Sequence, residues 1–369
     1  KCNTMLRKYF VAALGLLSYS LSVAQTASVT VDTAAAAPAN ESVLTITGSV
    51  DAYYKLDFAK TTANSLTSFT QTHNAFSLGM ASVKFEHKGD KVSAVADLGF
   101  GPRAKDFAYT DNGITQAVKQ MYVSYAPADW LKFTMGTWGT HVGYELLDPQ
   151  LNRNYSMSYM FTNGPFSHTG LKAEITKGQH GFMVGVANAT DFRIPPSGQI
   201  NKKFFLAQYT FAPSDKVKFY LNYVGGQNPD TSKTSQFDAV ITAKISDKFN
   251  VGFNATSNST KFWDGTKNTD GLTWGGAALY LNVDPKPWFG MTLRGELFSD
   301  KNQLKPFAAA SQGGSIFATT LSANFKTGGF IFIPELRVDN ANNTALFIDK
   351  DAVGSKSAAS FLIAAIYSF

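Results

Sequence analysis

The sequence predicts an all-β protein: a closed antiparallel up-and-down transmembrane barrel of about 16 strands, with short turns at one end and long loops at the other. Three observations predict it: long two-faced strands, two alternating kinds of connection, and a last strand that ends on an aromatic residue. In residues 45–58, TITGSVDAYYKLDF, one parity holds Thr45, Thr47, Ser49, Asp51, Tyr53, Lys55 and Asp57. The other holds Ile46, Gly48, Val50, Ala52, Tyr54, Leu56 and Phe58. Alternation at period two is an extended strand with one polar and one apolar face. At roughly 3.3 Å per residue this stretch reaches about 46 Å, well beyond the usual strand of about five or six residues.

The first 24 residues form an address rather than an element. From Met5 the chain reads MLRKYFVAALGLLSYSLSVAQ, with Arg7 and Lys8, an apolar run from Tyr9, then Ser22-Val23-Ala24 before Gln25. That order is a secretory signal peptide cleaved near Ala24, with residues 1–4 an upstream extension. Cys2, the single cysteine, goes with it, so disulfides and thiolate chemistry drop out of the mature chain. Cleavage removes Lys1, Arg7 and Lys8 and no acidic residue, which lowers the net charge from +6 to +3. Nothing in that balance calls for a nucleic-acid partner. Residues 25–42 are small, polar and low in complexity, a flexible periplasmic leader. No apolar stretch reaches eighteen residues, so a helical span is excluded.

From residue 43 the alternation hardly stops. Strands are expected at 43–58, 74–87, 90–101, 115–126, 129–142, 166–177, 180–192 and 200–212, then at 214–226, 234–246, 248–260, 271–283, 287–299, 313–326, 329–340 and 356–369. HKGDK, APADW, KGQH, APSDK, ISDK, VDPKPW and KTGG are tight turns, built from residues that supply preset or positive φ or local side-chain bonds. Longer connections fall between them at 59–73, 102–114, 143–165, 193–199, 227–233, 261–270, 300–312 and 341–355. Outer-membrane barrels keep short turns on the periplasmic side and long loops outside, and an even strand number returns both termini to the turn side. Hydrocarbon demands that every backbone polar group be paired within the protein, so a sheet there must close on itself.

The outer face carries rings where a membrane interface would hold them. Trp130 and Trp288 follow tight turns, and Tyr125 and Phe211 precede them. The last strand, SAASFLIAAIYSF, places Phe361, Ile363, Ala365, Tyr367 and Phe369 on one face and ends at Phe369, like the signal that outer-membrane barrels show to their assembly machinery. The runs DAYYKLDF, FSLGMASVKFEHKGDKVSAVADLGFGPRA, YVSYAPADWLKF and YELLDPQLNRNYSMSYMFTNGPFSHTGLKAE resemble the OmpL-like β-barrel porin family of Gram-negative outer membranes, over about residues 43–369. The resemblance implies a barrel in the bacterial outer membrane, surrounded by lipid, and brings no catalytic residues and no cofactor.

A barrel of about sixteen strands is wide enough for an aqueous channel, whereas about eight would be filled by side chains. The inward parity offers Asp51, Lys55, Asp57, Lys84, Glu86, Lys172, Glu174, Lys218, Asp238, Lys244, Arg294, Glu296, Glu335, Arg337 and Asp339 as pore-lining candidates, of mixed sign. Loop 143–165, GYELLDPQLNRNYSMSYMFTNGP, is the longest and the third of the long loops. By analogy of position with sixteen-stranded porins it is expected to enter the lumen, with Tyr144, Glu145, Asp148, Arg153 and Tyr155 at a constriction and Arg153 opposing the two acids. An ordinary surface loop is the alternative.

Enzymatic readings are thin. His73, His87, His141, His168 and His180 lack metal-site spacing, so no metal is expected. His141 and His168 flank the third loop with Ser167 adjacent, the one arrangement from which a rim hydrolase could be built. The expected function is a porin for passive diffusion of small hydrophilic solutes, possible as a homo-trimer. Its rivals are a barrel lipase or protease and a non-conducting barrel for surface display or adhesion.

Overall fold

A computed structural model describes residues 43–109, 111–196 and 202–369. The expected signal peptide, the leader and the start of the strand expected at 200 lie outside the described residues. Fifteen strands follow in chain order: β1 (Val43–Asp57), β2 (Ala75–Lys88), β3 (Val92–Phe100), β4 (Val118–Ala128), β5 (Leu131–Gly139), β6 (Ser167–Lys177), β7 (His180–Ala187), β8 (Phe204–Ser214), β9 (Val217–Gln227), β10 (Lys233–Lys244), β11 (Phe249–Lys261), β12 (Leu272–Lys286), β13 (Phe289–Asp300), β14 (Gly314–Thr327) and β15 (Phe330–Ala341). The two-residue strands β16 (Phe347–Ile348) and β17 (Gly354–Ser355) form a small ladder of their own, and β18 (Ser357–Ser368) is the last.

Without β16 and β17, the strands form one closed antiparallel barrel of sixteen. The ring shuts where β1 meets β18, in a register running from Ser49↔Ser368 to Asp57↔Ser360. Phe369 extends that seam: it donates to and accepts from Gly48, both at 3.0 Å. The strands hold two faces throughout. In β7, His180, Phe182, Val184 and Val186 are exposed, while Gly181, Met183, Gly185 and Ala187 are buried. Turns are as short as two residues, as at 178–179, where Gly178 takes φ 58°, a conformation that strained L-residues avoid.

β5 and β7 stop short of the expected 142 and 192, and the cause is local. Asp191 turns the chain at φ 66°, and its carboxylate accepts the N–H groups of Phe166 and Ser167, both at 2.8 Å. Thr140 donates to the Phe166 carbonyl at 2.9 Å, and beyond it the chain leaves the wall and turns inward. Loops 58–74, 101–117, 140–166, 301–313 and 342–356 are called loops 1, 2, 3, 7 and 8; loop 4 is described at 188–196 and 202–203. Among the described residues they hold two short α-helices: α1 (Pro102–Ala108) in loop 2, with Pro at its start, and α2 (Tyr159–Asn163) in loop 3, capped by Ser158 accepting from the Phe161 N–H at 3.0 Å.

Candidate functional site: the filled lumen

Loop 3 crosses the inside of the barrel, and an irregular segment there needs partners for its backbone polar groups. The wall supplies them as carboxylates. Glu335 on β15 accepts the Tyr155 N–H at 2.8 Å and the Ser156 N–H at 3.1 Å, and also the Ser322 hydroxyl at 2.8 Å. Glu296 on β13 accepts the N–H groups of Tyr159 and Met160, both at 2.8 Å, at the start of α2. Asp238 on β10 accepts from Gly143 at 3.0 Å. Hydroxyls do the same work: Tyr159 donates to Asp339 at 2.9 Å, and Tyr155 donates to Asp51. The site at Gly79 shows how closely Asp51 packs, since a Cβ there would stand 1.7 Å from its Oδ2.

Cations on the wall take the loop carbonyls and the loop acids. Arg294, fully buried on β13, pairs with Glu145 and donates to the Ser156 carbonyl at 2.8 Å and to Thr320 at 3.0 Å. Arg337 donates to the Met157 carbonyl at 2.7 Å while bound to Asp339 at 2.8 Å. Lys119 on β4 lies between Asp97 at 3.0 Å and the loop's Asp148 at 2.5 Å. Hydrogen bonds to charged groups are worth about 1.5–3 kcal/mol each, and here they span opposite walls of one barrel.

The depth of the loop is set by its tip. Arg153 pairs with Asp284, near the turn end of β12, at 3.0 and 2.5 Å. A Cβ at Gly290 would meet both Asp284 Oδ1, at 2.4 Å, and Arg153 Nη1, at 3.5 Å. Asn324 fixes the Arg153 carbonyl at 2.9 Å, and Asn154 reaches Ser322 at 2.6 Å. The loop therefore extends from the long-loop rim almost to the opposite mouth.

Two further loops join it. Arg103 of α1 is fully buried between the rings of Phe69 and Tyr155, 4.8 and 4.6 Å from their centroids, and donates to the Leu147 carbonyl at 3.1 Å. Phe69 from loop 1, Phe107 from loop 2, and Leu147, Met157 and Phe166 from loop 3 then make a small apolar core inside the barrel. A cavity between plug and wall, lined by Lys55, Asp57, Asn64, Ser156, Arg337 and Asp339, has about 20 Å³, room for about one water.

The residues named from sequence fall into three places. Asp51, Lys55, Asp57, Lys172, Glu174, Arg294, Glu296, Glu335 and Arg337 are buried on the inward face, most of them against the plug. Lys84, Glu86 and Lys218 share that face near the turn end and are half-buried, whereas Lys244 is exposed there and bound to Asp247 at 2.9 Å. Tyr144, Glu145, Asp148, Arg153 and Tyr155 all lie in the plug, and Tyr144 stacks on Tyr280 with centroids 4.1 Å apart. The expected pairing of Arg153 with Glu145 and Asp148 is corrected: those acids belong to Arg294 and Lys119, because Arg153 sits deeper, at Asp284.

On the outer face Tyr125, Trp130, Trp288, Tyr367 and Phe369 are exposed at the turn end, and Phe211 is half-buried against His180 and Phe219. Sequence reasoning missed Arg103 and Phe107, although Arg103, Ala104, Phe107 and Ala108 repeat at helical spacing and form the buried face of α1. It also missed Asp284 and Lys119, which no local pattern marks.

Hydrogen bonds hold the histidine pair to a threonine and a backbone carbonyl. His141 and His168 lie with ring centroids 5.3 Å apart; His168 Nε2 contacts Thr140 at 3.0 Å, and His141 Nε2 donates to the Tyr223 carbonyl at 3.1 Å. The buried Ser167 hydroxyl has no hydrogen-bond partner among the described residues. Nearby, burial pushes the Asp191 carboxyl up to about 7, against the opposing pull of the Ser167 and Phe166 N–H groups.

The barrel is similar to several solved outer-membrane proteins. OmpT of Vibrio cholerae aligns at TM-score 0.58 and 11% identity, over 90% of this chain and 99% of that one. An anion-selective porin from Comamonas acidovorans aligns at 0.60 and 10% identity, over 89% and 100%. The outer-membrane channel DcaP of Acinetobacter baumannii aligns at 0.59 and 12% identity, over 89% and 97%. At such identities the likeness is one of fold. No curated protein matches the chain. The family described as "Putative beta-barrel porin-2, OmpL-like" matches residues 43–369, nearly the whole described barrel, and this chain belongs to that family of outer-membrane porins.

Proposed function

We propose that the chain is a diffusion channel of the bacterial outer membrane for small hydrophilic solutes, and that loop 3 sets how wide it opens. The observation that carries this reading is the attachment of loop 3. It is held across the lumen by polar contacts to β1, β4, β10, β12, β13, β14 and β15, not by an apolar seal alone. Polar contacts, unlike a packed apolar seal, can be replaced by bonds to water when a segment moves, which recovers much of their energy. The cavity beside Arg337, with room for about one water, would have to widen for a larger solute to pass there.

No catalytic role enters this reading. Cleavage near Ala24 delivers the chain, and the strand ending at Phe369 presents it to the assembly machinery. OmpT of Vibrio cholerae is also known in a trimer form, and a homo-trimer is the arrangement we propose here too. A second reading has its own support. A lumen packed this closely suits a non-conducting barrel that displays its loops. Reconstitution in planar bilayers separates the two: stepwise conductance is expected, increased when residues 146–160 are deleted. Silence from both forms would leave the display reading standing.

A further inference from the structure

We infer that the turn-end mouth of the barrel collects small solutes of net negative charge, an inference that rests on the channel reading. Four lysines from four separated strands face the lumen there: Lys84 on β2, Lys132 on β5, Lys218 on β9 and Lys326 on β14. The side chains of Lys84, Lys132 and Lys326 are each about a third exposed, at 34, 33 and 33%, so solvent reaches them, while the charged side chains deeper on the inner wall are buried. Arg153 brings a fifth cation to the same level, on the tip of the plug.

The carboxylates at this mouth are too few to neutralise them. Glu86 pairs with Lys84 at 2.7 Å. Glu174 is shared by Lys132 at 3.1 Å and Lys172 at 3.3 Å. Asp284 is shared by Arg153 at 2.5 Å and Lys326 at 3.9 Å. Lys218 has no carboxylate partner among the described residues. Asp97 stands opposite Lys84 in the register but is held by Lys119. The turns add no compensation, since Asp90, Asp129, Asp215 and Asp247 are matched by Lys91, Lys216, Lys248 and Lys244.

Cations ringing a low-dielectric opening focus field and raise the local concentration of anions, over a screening length of about 8 Å at physiological salt. Rings of Lys and Arg are how pores favour anions. Deeper in, the acids do not oppose entry freely: Glu296, Glu335, Asp339 and Asp238 already accept hydrogen bonds from the plug or from a neighbouring guanidinium. The surplus of charge that a solute meets at the turn-end mouth is positive.

The test is the reversal potential of the full-length barrel in planar bilayers under a KCl gradient at pH 7. Chloride is expected to be favoured over potassium by about threefold, the ratio that a potential of about half a kT sustains when it enriches the anion and depletes the cation alike. Replacing Lys84, Lys132, Lys218 and Lys326 together by Gln should abolish that preference, and Lys218→Glu alone should reduce it, which keeps a result in hand should the fourfold variant not fold. Lys267→Gln, at an exposed loop tip, should leave it unchanged. A wild-type channel that favours potassium, or a preference that survives the fourfold change, overturns the inference while leaving the channel standing. A barrel that conducts nothing overturns both.

Discussion

In the middle of the inner wall, acids outnumber bases and each acid faces a donor. Glu335 and Glu296 hold loop N–H pairs, Asp51 and Asp339 hold tyrosine hydroxyls, and Asp300 collects the N–H groups of Leu304, Lys305 and Phe307 in loop 7. At the turn end the balance reverses: bases are in surplus, and two carboxylates serve two cations each. The difference lies in what the charge is for. A carboxylate buried beside an irregular loop satisfies backbone donors that have nowhere else to turn. A lysine beside solvent has no such duty, and its charge remains available to a passing ion.

The widest breach of this contrast comes from removing the sockets. Glu296→Ala with Glu335→Ala leaves the N–H groups of Tyr155, Ser156, Tyr159 and Met160 buried without acceptors, at about 1–3 kcal/mol each. Loop 3 should then leave the lumen for much of the time. Single-channel conductance should rise severalfold, and trypsin should cut the folded barrel after Arg153 in the variant but not in the wild type. Unchanged conductance and intact resistance would show that the apolar core around Phe69 and Phe166 holds the loop by itself.

Arg294→Ala comes next. It strands Glu145 in the interior, where breaking a buried pair costs about 3–5 kcal/mol. The midpoint of urea unfolding, read by gel mobility, should fall accordingly. Arg294→Met combined with Glu145→Leu should recover most of the loss, because the penalty is for the orphaned charge rather than for the absent bridge. Arg153→Ala should matter less. Its pair with Asp284 is partly exposed, and Lys326 remains close, so the cost is about 1 kcal/mol or less. Its effect should appear as noisier open-channel current rather than lost protein.

These rankings follow from features that differ in how far sequence reveals them. The strands and turns were legible: DAYYKLDF alternates whatever surrounds it, and KGQH needs only its own glycine to bend. The direction each wall residue faces followed from parity alone. The partners did not, because Arg153 and Asp284 lie 131 positions apart and meet only once the depth of loop 3 is fixed. That depth depends on Gly290 leaving room and on loops 1 and 2 entering beside it, and both are properties of the closed ring. Arg103 was readable as one face of a short helix, but not as the cation between Phe69 and Tyr155.

The most local effect concerns the rim, where Asp191 anchors the end of loop 3. Its carboxyl has a folded pKa of about 7, raised chiefly by burial, against about 3.9 in an unfolded chain. The folded state therefore binds a proton more tightly than the unfolded one, and stability is gained as pH falls from about 7 towards 4 and lost as it rises through that window. The amides of Phe166 and Ser167, which donate to this carboxylate, report it directly. Their hydrogen exchange, corrected for the intrinsic pH dependence, should show greater protection at pH 5 than at pH 8. Asp191→Asn keeps an acceptor and removes the proton, so it should flatten the difference while preserving the protection. Equal protection at both pH values in the wild type would mean that Asp191 stays ionised in place, with the two N–H groups and Arg193 outweighing its burial.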